Sequence, residues 1–600
     1  MKKNAFIALF LTFVLALAGC SVNTKSDEGK TDKANDAAVE IEVLGMSSNE
    51  SDLNIVRDQL TKNGFNVKLN IQPDYGSFKS QQDAGNFDVA LSSWTTVTGN
   101  PDYAVRALFI TGGANSIISD QEIDKLINQA ATETNDEFKE TYKQFEQRLV
   151  FDKAYIAPLY NSLKNQAVNK DILKEDSVRL SKSRALAWEP IDFIDETKRA
   201  SQPLILTQSL SSLTSLDPIK GNDGSINQLN TNMYVRLVNL TDDDQITSDG
   251  SLSLNHSISE NKSEYYFLLR DDINFAKIEN GTAVDSGERV GGDDVEFSLN
   301  RAKDKDSVPD HRTYSLHEHI SAVEVVTDLS VLESTKSSGG TGSVKDELEA
   351  GLDTKITELV ADKNSADNAS GKYQVVKLTT VQPFPQVLNY LAHQSAGIVS
   401  KKQVESVNTY DVATFDPSKD IPYGDERTVT EGATYNNTIY ASGPYILAQK
   451  NDYEAVFYKN PSYLKGTEHE PKIDQVNVRF ISDADSALSA LRSGEIHLYY
   501  GVSETKFDVV EADQKLKLQS MQSNAVSYLL FNSSNREVAK SEDLRKAVLY
   551  SINQDEFLQF YKNNKLKAVT TVSPLVETGN ELKADAAKVK EHLNKYLESK

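Results

Sequence analysis

His311-Arg312-Thr313-Tyr314-Ser315-Leu316-His317-Glu318-His319 gathers three of the chain's eight histidines. Imidazoles beside the Glu318 carboxylate suit nickel or zinc. The i, i+2 spacing serves adjacent ligands less well than the i, i+4 spacing of a helix, and no second cluster completes a shell, so surface histidines are the other reading. A second notable stretch is Trp94-Thr95-Thr96-Val97-Thr98-Gly99-Asn100-Pro101-Asp102-Tyr103. Its end reads as a helix start, with Asn100 as cap, Pro101 at the first position and Asp102 favoured by the helix dipole. Hydrolase, metalloprotease, P-loop and dinucleotide motifs (GxSxG, HExxH, Walker A, GxGxxG before a helix) do not occur. With 88 Asp and Glu residues a carboxylate pair is inevitable and proves nothing. The expectation is a protein that binds without catalysing and takes no cofactor.

Composition narrows the partners. The chain has 600 residues, 39% apolar and 25% charged, with a formal charge of −24. A net negative field repels phosphate backbones, so nucleic acid is a poor partner. One cysteine, Cys20, excludes an internal disulfide, a CxxC zinc site and an iron–sulfur cluster. It directly follows a basic start (Lys2, Lys3), an apolar run Ala5–Ala18 and the small pair Ala18-Gly19. That run is short for a membrane span and right for a signal-peptide core. The expectation is a signal peptide over 1–19, cleavage before a lipid-bearing Cys20, and a flexible anchored tether over 20–38, whose polar residues lack periodicity. The protein would then sit outside the cytoplasm on a bacterial, Gram-positive-style membrane.

Periodicity supplies the elements that position these residues. Val39–Leu44 alternates as a strand, Ser51–Asn63 carries Leu53, Val56 and Leu60 on one helical face, and Asn66–Ile71 is again a strand. Phe87–Leu91 reads as a third strand, Asp136–Val150 as a helix and Tyr155–Tyr160 as a short apolar strand. Asp192–Gln202 reads as a linker. Pro203–Thr207 and Glu264–Arg270 are strands, and Asp293–Arg301 is a helix with acids in its first turn. Residues 333–371, rich in Ser, Gly, Asp and Lys, read as a surface insertion with one weak helix over Val344–Val360. Strands then alternate with helices to a final helix at Ala584–Ser599. The layout is α/β.

Ser215-Leu216-Asp217-Pro218, the strand Tyr265–Arg270, Asp293–Arg301 (DDVEFSLNR), Ser442-Gly443-Pro444-Tyr445, Lys459–Tyr463 (KNPSY), Ala487–Ile496 and Leu544–Val548 (LRKAV) resemble, in order, the family 5 extracytoplasmic solute-binding proteins. These are the oligopeptide, dipeptide and nickel receptors of ABC importers. The resemblance implies a two-lobed clamp of the periplasmic-binding-protein type (type II, cluster C-like) with an extra domain. Pieces that close that family's chain stand here at the front: Val39–Leu44, Gly64–Leu69 (GFNVKL), Phe87-Asp88 to Trp94, and Ala157–Tyr160 (APLY). The order therefore implies a circular permutation. It predicts one lobe from 39–164 and 511–600, the other from 165–191, 203–239 and 396–510, an extra domain over 240–395, and 192–202 joining the ancestral ends. Permutation is tolerable because chain ends lie at surfaces, often close together.

The implied function is a lipid-anchored, monomeric receptor that takes up a peptide or peptide-like solute by lobe closure and passes it to membrane permease subunits. A nickel or metallophore receptor on the same fold and a surface sensor or adhesin are the alternatives. Peptide receptors of this family hold the ligand ammonium with a W-x-x-D aspartate. Trp94 matches, but that aspartate position is Val97, so Asp102 is the candidate substitute and Thr96 and Tyr103 its neighbours. The resemblance also places Ser212, Leu213, Tyr234, Arg312, Tyr314, Tyr440 and Gly443 at the cleft.

Overall fold

The computed structural model describes residues 39–600 except 74, 114, 135, 210, 341 and 434. The expected signal peptide, Cys20 and the tether lie outside the described residues. Among the described residues no helix is long and apolar enough to cross a membrane.

In chain order the elements that matter are β1 (Val39–Met46), α1 (Glu50–Lys62), β2 (Phe65–Gln72), β3 (Val89–Thr95), α2 (Pro101–Phe109), β4 (Ile156–Asn169), β5 (Leu204–Gln208) and α3 (Gly224–Met233). There follow β6 (Ser253–Ile258), β7 (Glu264–Leu269), α4 (Gly292–Lys303), β8 (Ile320–Val326) and β9 (Val375–Thr380). The last third supplies β10 (Tyr445–Lys450), β11 (Glu454–Lys459), β12 (Gln475–Phe480), β13 (Leu498–Tyr500), β14 (Leu516–Phe531), α5 (Glu542–Ser551) and α6 (Ala586–Glu598). The strands of the main mixed sheet run β10-β11-β12-β5-β13-β4-β14-β3-β1-β2. β1 and β3 pair in parallel, Val43 opposite Val89, and the core of β1 is buried on both faces, as a crossover-covered strand must be. α1 supplies one cover, burying Leu53, Val56 and Leu60.

Two strands tie the sheet together. β4 has 14 residues, roughly 46 Å at about 3.3 Å each, far beyond the short strand expected at Tyr155–Tyr160. Its antiparallel partner β14 has 16 residues. β4 meets β13 near its end, Leu498 opposite Val168, while the far half of β14 pairs with β3, Leu529 opposite Leu91. The β4–β14 ladder is continuous except between Gln522 and Val526 and again between Ser527 and Tyr528, where its register shifts.

The second sheet is antiparallel in the order β8-β9-β7-β6. β7 (EYYFLL) is apolar on both faces and needs two covers. Tyr265, Phe267 and Leu269 pack with Val295 and Leu299 of α4, whereas Tyr266 and Leu268 pack with Leu332, Val344, Leu348, Ile356 and Leu359. The 333–371 segment is thus a built cover rather than a bare insertion. Its helix spans only Val344–Leu348, capped by Ser343. The expected linker is equally ordered. Asp192 takes hydrogen bonds from Arg199 (2.7 and 2.5 Å) and Lys174 (2.5 Å), and Phe193 packs edge-on to His497 at 5.7 Å. Burial pushes the Asp192 carboxyl up, but these two cations outweigh it and hold it down at about 2.

Candidate functional site

The interruption in the β4–β14 ladder is bridged by side chains. Asn161 Nδ2 donates to the carbonyls of Ser523 (2.8 Å) and Ala525 (2.9 Å), and Ser523 Oγ donates to Ser162 O (2.7 Å). Asn524 reaches sideways to Asp244 at 2.9 Å, and its carbonyl accepts the Thr96 N–H at 3.1 Å. A cavity of about 690 Å³ opens beside this stretch, a volume that suits a small solute or short peptide. Its wall comes from Thr95 at the end of β3 and Val97 beyond it, from Ser162–Asn165 of β4, from the loop Lys182–Leu186, from the ends of β5, β12 and β13, and from the first turns of α3.

Lys164 organises that wall. Its ammonium donates to the carbonyls of Ser181 (2.6 Å), Lys182 (3.3 Å) and Arg184 (2.9 Å), gathering the loop around one charge. Burial pulls its pKa down to about 8. The loop is fixed from behind by Asp244, which accepts from Ser183 N–H and Oγ, both at 3.0 Å. Asp244 lies so close to Gly99 that a Cβ there would meet it at 3.0 Å, and Gly99 holds φ +66°, so glycine is required twice over. His393 is neutral, burial lowering its pKa to about 4. Its Nδ1 accepts from the Ser395 N–H at 3.2 Å, which places the ring proton on Nε2.

Of the residues singled out from the sequence, Val97 lines this cavity. Thr96 holds the adjoining backbone and is buried. Strand alternation sends Thr95 into the cavity and Trp94 into a separate hollow of about 500 Å³ shared with Tyr75, Phe78 and Tyr528. Asp102 is no free countercharge. It is wholly buried, paired with Arg106 (3.0 and 3.2 Å) and bonded by the Tyr390 hydroxyl at 2.9 Å. Tyr103 wedges between Trp94 and Tyr390, with centroids 5.7 and 6.3 Å away.

The remaining candidates lie outside the cavity wall. Leu213 and Tyr234 are core, Tyr234 donating to Leu216 O at 2.9 Å, and Ser212 is exposed outside the cavity wall. Tyr440 packs against the second core with its carbonyl on the Tyr423 hydroxyl. Gly443 sits where a Cβ would strike the Met233 carbonyl carbon at 2.6 Å. Arg312 pairs on the surface with Asp310 at 2.7 Å, and Tyr314 stacks edge-on with His311.

The histidine cluster does not converge on a metal. His311 Nε2 bonds Ala302 O, His317 Nε2 bonds Ser395 Oγ, and His319 lies 4.2 Å from the Phe384 ring. Each partner is local to a different element. Burial lowers all three pKa values, His317 to about 3. Among the described residues the one group with metal-ligand spacing is Asp249, Glu468 and His469, at the surface.

The cavity residues Lys164, Lys182, Arg184, Asn227, Gln228 and His393 escaped sequence reasoning. Their one legible signal was the amide- and hydroxyl-rich run Asn161–Asn169, which continues an apolar strand without its alternation.

Comparison with known proteins identifies a family. Residues 250–597 match the family described as bacterial extracellular solute-binding proteins, family 5 Middle. The glutathione-binding protein GsiB of Salmonella paratyphi A is 21% identical over 352 residues, covering 58% of this chain and 52% of GsiB. A Brucella ovis protein named for peptide binding in an ABC transporter is 31% identical over 137 residues, 22% of this chain and 24% of its own. The chain therefore spans between about a quarter and about half of the length of these curated relatives. Among solved structures, the periplasmic binding protein DppA of Helicobacter pylori, in complex with a peptide, is 17% identical over 67% of each chain, with a TM-score of 0.41. That family consists of solute receptors rather than enzymes. With more than half of its residues inside the family match, this chain belongs to the family 5 bacterial extracellular solute-binding proteins.

Proposed function

We propose that the protein is an extracytoplasmic receptor of an ABC importer, anchored by lipid at Cys20, which captures a peptide or peptide-like solute and delivers it to permease subunits. The observation that carries this reading is the cavity at the break in the paired strands β4 and β14, within a chain of this family. Two long strands interrupted within one short stretch, 522–528, are a natural hinge, and closure about them would enclose a solute against Val97 and the Lys182–Leu186 loop. The direct test is native mass spectrometry of the full chain purified without denaturation. A ladder of released peptide masses is expected. A folded chain that carries none, and whose melting temperature no peptide raises, would refute the reading. Cys20→Ala should move the protein from the membrane fraction to the medium.

The permuted order belongs to the same proposal. It assigns 39–164 with 511–600 to one lobe, 165–191, 203–239 and 396–510 to the other, and 240–395 to the extra domain. It is supported by β1–β4, which precede the family match yet occupy the middle and one end of the main sheet. The described chain ends also approach one region. Glu42 of β1 meets Arg536 at 3.3 Å, while Lys600 meets the adjacent Glu537 at 3.7 Å. A rearranged gene encoding 203–600 followed by 39–192 should yield a protein with the same ligands and a similar melting temperature. Failure of that chain to fold would count against the permutation.

A further inference from the structure

The wall of the cavity has the opposite charge sign to the chain. Its charged residues are Lys164, Lys182, Arg184 and a single acid, Asp223, in a protein of net charge −24. Asp223 is already committed, because one oxygen caps α3 through the N–H groups of Ser225 and Ile226 (3.1 Å each) and the other accepts from Thr214 at 2.8 Å. Position 97, also on the wall, is valine. A ligand ammonium entering here would meet one wall carboxylate, Asp223, which three donors already share, and an enclosed, poorly paired charge is costly.

The cations are placed differently. Lys182 stands 3.8 Å from Asp243, a carboxylate 79% exposed to water, a loose pair that screening weakens further. Arg184 is held by Asp242 through Nη2 at 3.0 Å, while its buried Nε–H has no acceptor among the described residues. Asp242, Asp243 and Asp244 are not part of the wall. They hold the loop by its back, and Lys164 holds it by its carbonyls. The loop is thereby preorganised to present two cations to a solute.

Resting on the receptor reading above, we infer that the cavity selects solutes bearing an anionic group, such as the carboxylates of acidic or amino-blocked peptides, docked on Lys182 and Arg184. Free-amine, cationic peptides are disfavoured. A solute that satisfies the Arg184 Nε–H on closure would pair a donor that the described structure leaves open.

The test is titration of the full chain with three synthetic tetrapeptide pools that share one scaffold. One pool is N-acetylated, with a glutamate and a free carboxylate. The second is acetylated, amidated and neutral. The third carries lysine, a free amine and an amidated end. The anionic pool should bind about tenfold more tightly than the cationic one at low salt, and the gap should close in high salt. Lys182→Gln, at a loosely paired position, should weaken the anionic pool about three- to tenfold, well beyond any change in the neutral pool. Arg184→Gln should weaken it more. Equal or tighter binding of the cationic pool would overturn the charge preference and leave the receptor reading standing. Absence of binding by all three pools to folded protein, with no co-purified peptide, would overturn both.

Discussion

Replacing Asp102 by asparagine separates a scaffold role from a ligand role at the position that sequence comparison marked as the substitute countercharge. In the structure Asp102 is wholly buried at the start of α2 and receives three hydrogen bonds, two from the Arg106 guanidinium and one from Tyr390. Tyr390 lies 288 residues away in sequence, so the bond joins distant parts of the chain. Breaking a buried ion pair costs about 3–5 kcal/mol, and the lower end applies because the Arg106 side chain keeps 21% of its exposure. Asparagine keeps the shape and one acceptor, so the expected loss is about 3 kcal/mol. At about 2.1 cal/mol/K per residue, roughly 560 residues unfolding together have an entropy near 1.2 kcal/mol/K, and the melting temperature should fall by about 2–3 °C. Calorimetry of Asp102→Asn, with Tyr390→Phe and the double variant, measures the coupling. Peptide capture should be unchanged. An unaltered melting temperature together with lost capture would refute the latch and return Asp102 to the ligand.

Three further outcomes are expected. His317, His393 and His497 are buried and neutral, burial lowering their pKa values to about 3, 4 and 4; the unfolded chain takes up their protons near 6.5 and the folded one does not, so stability present above pH 6.5 is lost as pH falls towards 4. At pH 5 each contributes about 2 kcal/mol of that loss, which a melting-temperature profile against pH would show, and a flat profile would contradict the burial argument. Gly443→Ala forces a Cβ against the Met233 backbone and should cost about 1–3 kcal/mol in denaturant unfolding, with wild-type stability showing that the loop yields freely. Asn161→Ala strips the donor from the Ser523 and Ala525 carbonyls at the strand break, costing about 2 kcal/mol and raising hydrogen exchange across 522–526 above that of the flanking ladder.

Much of the fold was legible because its signals are local. The helix at 50–62, the strand at 65–72, the Asn100-Pro101-Asp102 start of α2 and the acid-led α4 all lie where periodicity and capping put them. Where expectation and structure part, a long-range contact decides. β4 runs on to Asn169 because its polar half pairs with β14, so its pairing carries no alternating pattern. The 333–371 segment looked empty because the four residues it packs under β7, Val344, Leu348, Ile356 and Leu359, are scattered through polar sequence. The demand for them is written elsewhere, in the two-faced apolar strand Tyr265–Leu269. The three histidines of 311–319 share a sequence window but not a site, because each ring is claimed by a different element.

By itself the sequence determined the α/β class, the helix caps, the resemblance over ordered motifs and the absence of enzymatic motifs. These depend on residues within a few positions of one another, or on motif order along the chain. Tertiary structure decided the site. The cavity wall draws on stretches near positions 97, 164, 184, 208, 227, 393, 481, 500 and 525, which nothing local relates. Asp102 was taken into the core by a tyrosine from another part of the chain, while an unremarked loop, drawn together by one buried lysine, was carried to the cavity. A side chain's chemistry is set by its own atoms, but what it faces is set by the path of the whole chain.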